Sequence, residues 1–454
     1  MSNLYISAAK KSSGKTSISI GICGALKEQG FKIQSFKKGP DYIDPLWLSQ
    51  ASGQPCYNLD FYTMPIEEIL QTYSSLASQS DICIVEGNKG LYDGIDVEGK
   101  FSNAELSVQL KTPVILVLDV EGVTRGVAPL ILGHLDFDKN VNISGVILNK
   151  VGGTRHEKKL RMAIEHYTDV EIIGMVQRNK NITIDERHLG LVPSNELRES
   201  TNLIKSISHQ ISNEVDLNFL IELGENKVTE PNKVSINKKS NKKGDKIRIG
   251  YAKDSAFGFY YASDLIALEN AGAELIPFSP LNDKNLPEVN GLFIGGGFPE
   301  THLEKLSKNK EIGQQIVDFI KNGGPTYAEC GGLMYLSRKI IWNKKQSEML
   351  GVIPADVVMH DSPKGRGYVL LNELEGHPWP GGSKIPAHEF HYSTLENLDK
   401  NIEFAYQVER GFGVNGNYDG LLLYNLLASY SHLRDTSKNQ WAQRYVDYIR
   451  KHMG

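Results

Sequence analysis

The sequence predicts two α/β domains in series, on three observations. The chain has 454 residues, about twice the length that one ordinary hydrophobic core organises. Short β-rich runs alternate with amphipathic stretches, the rhythm of a mostly parallel sheet wrapped by helices. That rhythm stops once in a polar stretch and then restarts. The expected layout is a first domain over residues 1–221, a linker over 222–246 and a second domain over 247–454.

In the first half the strand-like runs are Leu4–Ala8, Lys32–Phe36, Asp81–Glu86, Val114–Asp119 and Ser144–Asn149, with a helical stretch from Lys15 to Gln29. The linker reads GENKVTEPNKVSINKKSNKKGDK, and its lysines suit a solvated surface better than an anion-binding tail. Beyond it the runs are Lys246–Ala252, Glu274–Pro277, Gly291–Ile294 and Thr326–Glu329. No solenoid period recurs, so each half is expected to own a site.

Composition excludes several classes. Hydrophobic residues at 40% and charged residues at 23% are ordinary for a globular protein, which argues against disordered, collagenous and membrane classes. A net charge of -4 gives no overall basic footprint for nucleic acid, while leaving room for a local basic pocket. Cys23, Cys56, Cys83 and Cys330 form neither a CxxC pair nor a zinc spacing. No leader-like start and no apolar run of about 18 residues occurs, so the cytoplasm is expected and a membrane is not.

The chemistry begins at the first strand. LYISA runs into AKKSSGKT, Ala9–Thr16, and then a helix. This is the context of a phosphate-binding loop. Backbone N–H groups and the helix N-terminus surround phosphate, Lys15 reaches terminal oxygens, and Thr16 is placed to ligate Mg²⁺. Ala9 stands where the usual pattern has its first glycine. The expected phosphate set is Lys11, Ser13, Gly14, Lys15 and Thr16, with Lys37 beyond the second strand. In FKKGPDYIDP, Phe36–Pro45, either Asp41 or Asp44 is a candidate metal ligand, against the plainer reading of an Asx turn after Gly-Pro. DICIVEGNKGLYDG, Asp81–Gly94, ends a buried strand in Glu86, the usual place of a metal-orienting carboxylate near such a loop.

These segments resemble the cobyrinic acid a,c-diamide synthase family. The carrying motifs are Gly14–Thr16, Lys37–Pro45, Asn58–Asp60 (NLD), Val85–Gly94 and Glu186–Glu196 (ERHLGLVPSNE). The resemblance implies a P-loop NTPase half like dethiobiotin synthetase, followed by a flavodoxin-like class I glutaminase half.

In the second half, GPTYAECGGLMYL sets Cys330 between a strand and Gly331-Gly332. An isolated buried cysteine usually serves packing, but this is the pattern of a nucleophile elbow. GLFIGGGFPE, Gly291–Glu300, offers backbone donors for an oxyanion. A base is still needed. His432 in LLASYSHLRD follows Cys330 in the order usual for class I glutaminases, and His388 and His391 in PAHEFHYS compete. The resemblance extends to FGFYYASDL, GGGFPE, ECGGLMYL, HEFHYS and ASYSHL, and implies Cys330 as nucleophile and His432 as its base. His391 either lines a cavity or serves structural hydrogen bonding. Leu433 and Arg434 follow His432 where many such enzymes have Pro-Glu, so no third acid is assigned, Asp435 included.

The two halves are chemically complementary. A carboxylate is a poor acyl donor until phosphorylated by Mg·ATP, and the second half releases ammonia from glutamine through a thioester. The resemblance implies an anionic tetrapyrrole amidated at its a and c acetates. Because AAKKSSGKT departs from the corrinoid pattern, closer to GTxSGxGKT, the alternative is the same chemistry on sirohaem, sirohydrochlorin or its nickel complex. An alternative of another class is a nucleotide-switched binding protein with an inactive glutaminase half. A homodimer is one open expectation for the assembly.

Overall fold

The computed structural model describes residues 2–179, 182, 184–187, 190–197, 199–225 and 247–453. Residues 226–246 of the expected linker, and His188 and Leu189 of the ERHLGLVPSNE motif, lie outside the described residues. These divide into two compact units, the N-terminal and C-terminal halves, with Tyr62–Met64 grouped with the second.

The first unit is built on seven strands: β1 (Ser2–Ala8), β2 (Ile33–Lys38), β3 (Tyr57–Leu59), β4 (Ile82–Glu86), β5 (Val114–Asp119), β6 (Ile143–Val151) and β7 (Ile172–Gln177). All pair in parallel, in the order β3-β2-β4-β1-β5-β6-β7. Every residue of β1, β2 and β4 is buried. That explains their unbroken apolar runs, since helices cover both faces of a parallel sheet. Helix α1 (Lys15–Glu28) is apolar nearly all round and buries ten residues from Lys15 to Leu26. β1 lies between β4 and β5, where the strand order reverses, and the loop after it opens at the carboxyl rim, the usual ligand crevice of such sheets. Lys37, Glu86, Asp119 and Asn149 sit at strand ends on that same rim.

Helix α2 (Ile43–Ser52) follows β2, and α3 (Leu217–Gly224) carries into the span expected as linker, so residues 222–224 are helical. The sequence reading also omitted β3 and β7. β3 is only three residues long, and β7 carries the glycine of IIGMVQ in mid-strand.

The second unit has a nine-stranded mixed sheet. Its strands are β8 (Ile247–Ala252), β9 (Ala273–Phe278), β10 (Gly291–Ile294), β11 (Thr326–Glu329), β12 (Gly365–Glu373), β13 (Ile385–His391), β14 (Glu403–Arg410), β15 (Tyr418–Leu423) and β16 (Leu426–Ser429). They run in the order β9-β8-β10-β11-β16-β15-β14-β12-β13. The first five in that order are parallel and the remaining pairings antiparallel. β11 and β16 are hydrogen-bonded neighbours in register from Thr326↔Leu426 to Glu329↔Ser429. Their carboxyl ends therefore deliver residues 330 and 430–432 to the same place. Helix α4 (Gly331–Leu336) starts directly after β11, and α5 (Trp441–Lys451) packs Trp441, Tyr445 and Ile449 inward.

Candidate active sites

The first site grows out of the β1–α1 loop. Gly14, at φ +87°, turns the chain into α1; a Cβ there would come 2.1 Å from Nδ2 of Asn149, so this position excludes a side chain on two counts. Asn149 Nδ2 donates to the Ser13 carbonyl at 3.0 Å and braces the loop from the end of β6. Ser13 itself is buried, and its hydroxyl donates back to Lys10 O at 2.9 Å.

Four functional side chains meet around one point. Thr16 Oγ1 lies 2.7 Å from Glu86 Oε1 and 3.3 Å from Asp44 Oδ2. Lys37 Nζ bridges the same two carboxylates, 2.6 Å from Asp44 Oδ2 and 2.8 Å from Glu86 Oε1. Burial is the largest influence on Glu86 and raises its carboxyl above the usual range, against the opposing Lys37 charge. The other Glu86 oxygen, Oε2, is buried without a hydrogen-bond partner. Burial works against charge on Lys37, yet Asp44 and Glu86 keep its ammonium well above the usual value.

Asp41 has a different task. Its Oδ1 accepts the N–H groups of Ile43 and Asp44 at 2.9 Å and 3.1 Å, an Asx turn that starts α2. Burial, then repulsion from Asp44, pushes Asp41 up to about 7. Asn58 of the NLD motif donates to the carbonyls of Gly39 and Asp41 at 2.8 Å and 2.7 Å and ties this loop down. The segment after β4 is held by Asn103, which accepts from Asn88 N at 3.1 Å and donates to Gly90 O at 2.7 Å. Lys15 Nζ donates to Lys89 O in that segment at 2.7 Å. These groups line a cavity of about 660 Å³ that also meets Lys11, Asn149, Gln177, Arg178 and apolar Ile207 and Ile211. It has the size of a small-molecule site, lined by cations, carboxylates and aliphatic side chains.

The second site grows out of the turn between β11 and α4. Cys330 sits at φ +45° and ψ −99°, a strained conformation for a non-glycine residue and the mark of an elbow that presents its side chain. Its N–H donates to Ser429 O at 2.7 Å, across to β16. His432 hydrogen-bonds the Cys330 side chain through its ring and donates from Nδ1 to Glu329 Oε2 at 3.2 Å. Burial disfavours charge on His432, but Cys330 and Glu329 together outweigh it and raise the imidazole to about 10.

Gly296 packs on this ring. A Cβ there would come 2.6 Å from His432 Cε1, and one on Gly331 would come 2.9 Å from Gly297 N. The GGG loop and the elbow thus press backbone against backbone beside the sulfur, as an oxyanion cradle requires. His388 pairs with His432 through two main-chain hydrogen bonds of 3.2 Å and 2.7 Å. Its ring is held far toward the neutral form, to about 3, by burial and then by His432. His391 donates Nδ1–H to Ser393 O at 2.9 Å and stacks on Tyr430 at 3.9 Å, which is structural bonding. Asp435 accepts the Ala442 N–H at 2.8 Å and anchors the start of α5.

Residues 4–192 match a family described as the CobQ/CobB/MinD/ParA nucleotide binding domain, and residues 248–440 one described as the CobB/CobQ-like glutamine amidotransferase domain. Across both halves the chain is 44% identical to a cobyrinate a,c-diamide synthase of Magnetococcus marinus, over 97% of this chain and 95% of the relative. It is 41% identical to one of Picrophilus torridus over 98% of each, and 39% identical to one of Archaeoglobus fulgidus over 98% of this chain and 96% of the relative. The chain belongs to the cobyrinate a,c-diamide synthase family.

Within this synthase family chain, the structure brings Lys15, Thr16, Lys37, Asp44 and Glu86 together, and Lys11 and Gly14 line the same cavity. Ser13 contributes to the loop's shape, with its hydroxyl turned onto the main chain. Asn149, Asn103 and Glu329 escaped the sequence reading. Asn149 carried a usable signal, a polar residue ending a buried strand on the ligand rim. Glu329 carried one too: an acid ending a fully buried strand, directly before the candidate nucleophile.

One consequence for the synthase is measurable by titration. Burial, followed by repulsion from Lys37, pushes the Lys15 ammonium down to about 8. Phosphate contact requires the protonated form, so ATP affinity is expected to fall as pH rises through about 8, with proton uptake on binding there. Calorimetry in buffers of different ionisation enthalpy reads that uptake. An affinity flat from about pH 7 to pH 9 would remove Lys15 from the phosphate contacts.

Proposed function

We propose that this chain is the ATP- and glutamine-dependent ligase that amidates the a and c acetate carboxylates of cobyrinate. The observation that carries the reading is the presence on one chain of both chemical centres, with full-length similarity to synthases of that name. The same pairing disfavours a nucleotide switch with a dead appendage, since the elbow, imidazole and glycine cradle are all in place.

At the N-terminal site the substrate carboxylate oxygen attacks the γ-phosphorus of ATP. The bond to the β–γ bridging oxygen breaks, giving an acyl phosphate and ADP. Lys15 holds terminal phosphate oxygens and Lys37 neutralises charge that grows there. Mg²⁺ fits the residues present: Thr16 Oγ1, Asp44 and the unpartnered Oε2 of Glu86 would hold it with phosphate oxygens and water. Bound there it would offset phosphate charge. Asp41 supports this ligand set by fixing the start of α2.

At the C-terminal site the ion-pair form, with the proton on His432, is the attacking state. The Cys330 sulfur bonds to the glutamine side-chain carbonyl carbon, Gly331 and the glycine loop receive the oxyanion, and His432 gives its proton to the departing ammonia. Water then cleaves the thioester to glutamate. Ammonia attacks the acyl phosphate carbon, phosphate leaves and the amide forms. Among the described residues no helix is long and apolar enough to cross a membrane.

Purified protein should be given ATP, Mg²⁺ and glutamine with cobyrinic acid, sirohydrochlorin and sirohaem in parallel, and the products weighed by mass spectrometry. Two successive exchanges of hydroxyl for amino on cobyrinic acid are expected. Amidation of a siro-ring alone would move the substrate, and no amidation of any would defeat the tetrapyrrole reading.

A further inference from the structure

We infer that Glu329, the residue just before the nucleophile, is the positioning acid of the glutaminase centre, completing a Cys330–His432–Glu329 relay. The usual place for such an acid is downstream of the histidine, where this chain has Leu433 and Arg434. Here it comes from the nucleophile's own strand. Glu329 is 3% exposed, and each of its oxygens has a defined use. Oε2 receives the His432 Nδ1–H at 3.2 Å, while Oε1 accepts from the Tyr327 hydroxyl at 2.6 Å and the Leu433 N–H at 3.0 Å. The two Oε1 bonds stop the carboxylate from rotating. The Oε2 bond assigns the proton to Nδ1, which turns Nε2 toward the sulfur. This is the division of labour of a triad, recognised by geometry and role whatever the order along the chain.

The charge surroundings of the imidazole are few. Glu329 and Cys330 face it from the end of β11, and His388 faces it from β13 in a form that carries no charge at neutral pH. The neighbouring acid Asp264 is held well above the carboxylate range, first by burial and then by Asp435, so it adds little negative charge there. Glu329 is thus, beside the Cys330 sulfur itself, the anionic support for a protonated His432. Removing its charge must lower the pH at which that proton is lost.

This inference rests on Cys330 being the glutaminase nucleophile, and loss of glutamine hydrolysis in Cys330→Ala tests that reading separately. The test of Glu329 is the pH profile of kcat/KM for glutamine hydrolysis in Glu329→Gln and Glu329→Asp. For Gln, kcat is expected to fall on the order of 100-fold with the glutamine KM within about threefold, and the alkaline limb to move down by about one pH unit or more. For Asp, whose charge is kept but set back, a smaller downward move and a partial return of kcat are expected. Ammonia-dependent amidation, which bypasses this centre, should persist in both and report an intact fold. A profile reduced in height with its limb unmoved would make Glu329 merely structural and overturn the inference, as would unchanged hydrolysis. Should Glu329→Gln fail to fold, Glu329→Asp decides by the same criterion, a limb in the wild-type place counting against it.

Discussion

Cys330→Ala is expected to reduce glutamine-dependent amidation on the order of 1000-fold or more, while ammonium salts at high concentration restore product. The sulfur is the only atom at the elbow able to form the thioester, and alanine keeps the β11–α4 turn without it. The synthetase centre needs only ammonia as nucleophile, so its own turnover should be untouched. The comparison is of product formed with glutamine against product formed with ammonium, alongside glutamate release. Undiminished glutamate release in the variant would remove Cys330 from the chemistry. Loss with both nitrogen sources would mean that the substitution damaged more than one centre.

Glu86→Gln should separate the two activities the other way. Gln keeps the size and a hydrogen-bonding oxygen for Thr16 and Lys37 but removes a charge at a fully buried point of the phosphate site. Amidation is expected to fall on the order of 100- to 1000-fold with either nitrogen source, because the lost carboxylate no longer orients cation and phosphate. Glutamine hydrolysis should stay within about twofold of wild type. Parallel assays of ADP and glutamate production give both rates from one sample. Equal loss of the two would contradict the assignment of Glu86 to phosphoryl transfer.

Much of this was legible because its signals are local. GKT between strand and helix, and a cysteine between strand and Gly-Gly, each place chemistry within a dozen residues of chain. The buried parallel strands read as apolar runs for the same reason that they are covered on both faces. Long-range pairing was out of reach. His432 meets a carboxylate 103 positions away because β11 and β16 are neighbours, and no spacing rule encodes that adjacency. The choice between Asp41 and Asp44 was undecidable from their three-residue separation. It turns on where α2 begins: Asp41 is consumed by the turn, and Asp44, one residue into the helix, faces Thr16 and Lys37. The antiparallel half of the second sheet was also missed. Its strands are partly exposed and carry charges among their apolar residues, as in EFAYQVER of β14, so no unbroken apolar run marks them.

Tyr327 gives the second unit a further property. Its hydroxyl grips Glu329, and its ring lies among Phe293 at 5.3 Å, Trp441 at 5.1 Å and Trp379 at 5.8 Å, in the middle of the domain's aromatic packing. The aim of the imidazole is therefore set by rings that never approach glutamine. Loosening them, by warming or by trimming Trp441, which packs directly on Tyr327, would let the carboxylate swing before the sheet melts. Turnover of this centre should accordingly fade at temperatures where the protein is still folded, and repacking those rings more tightly should extend its working range.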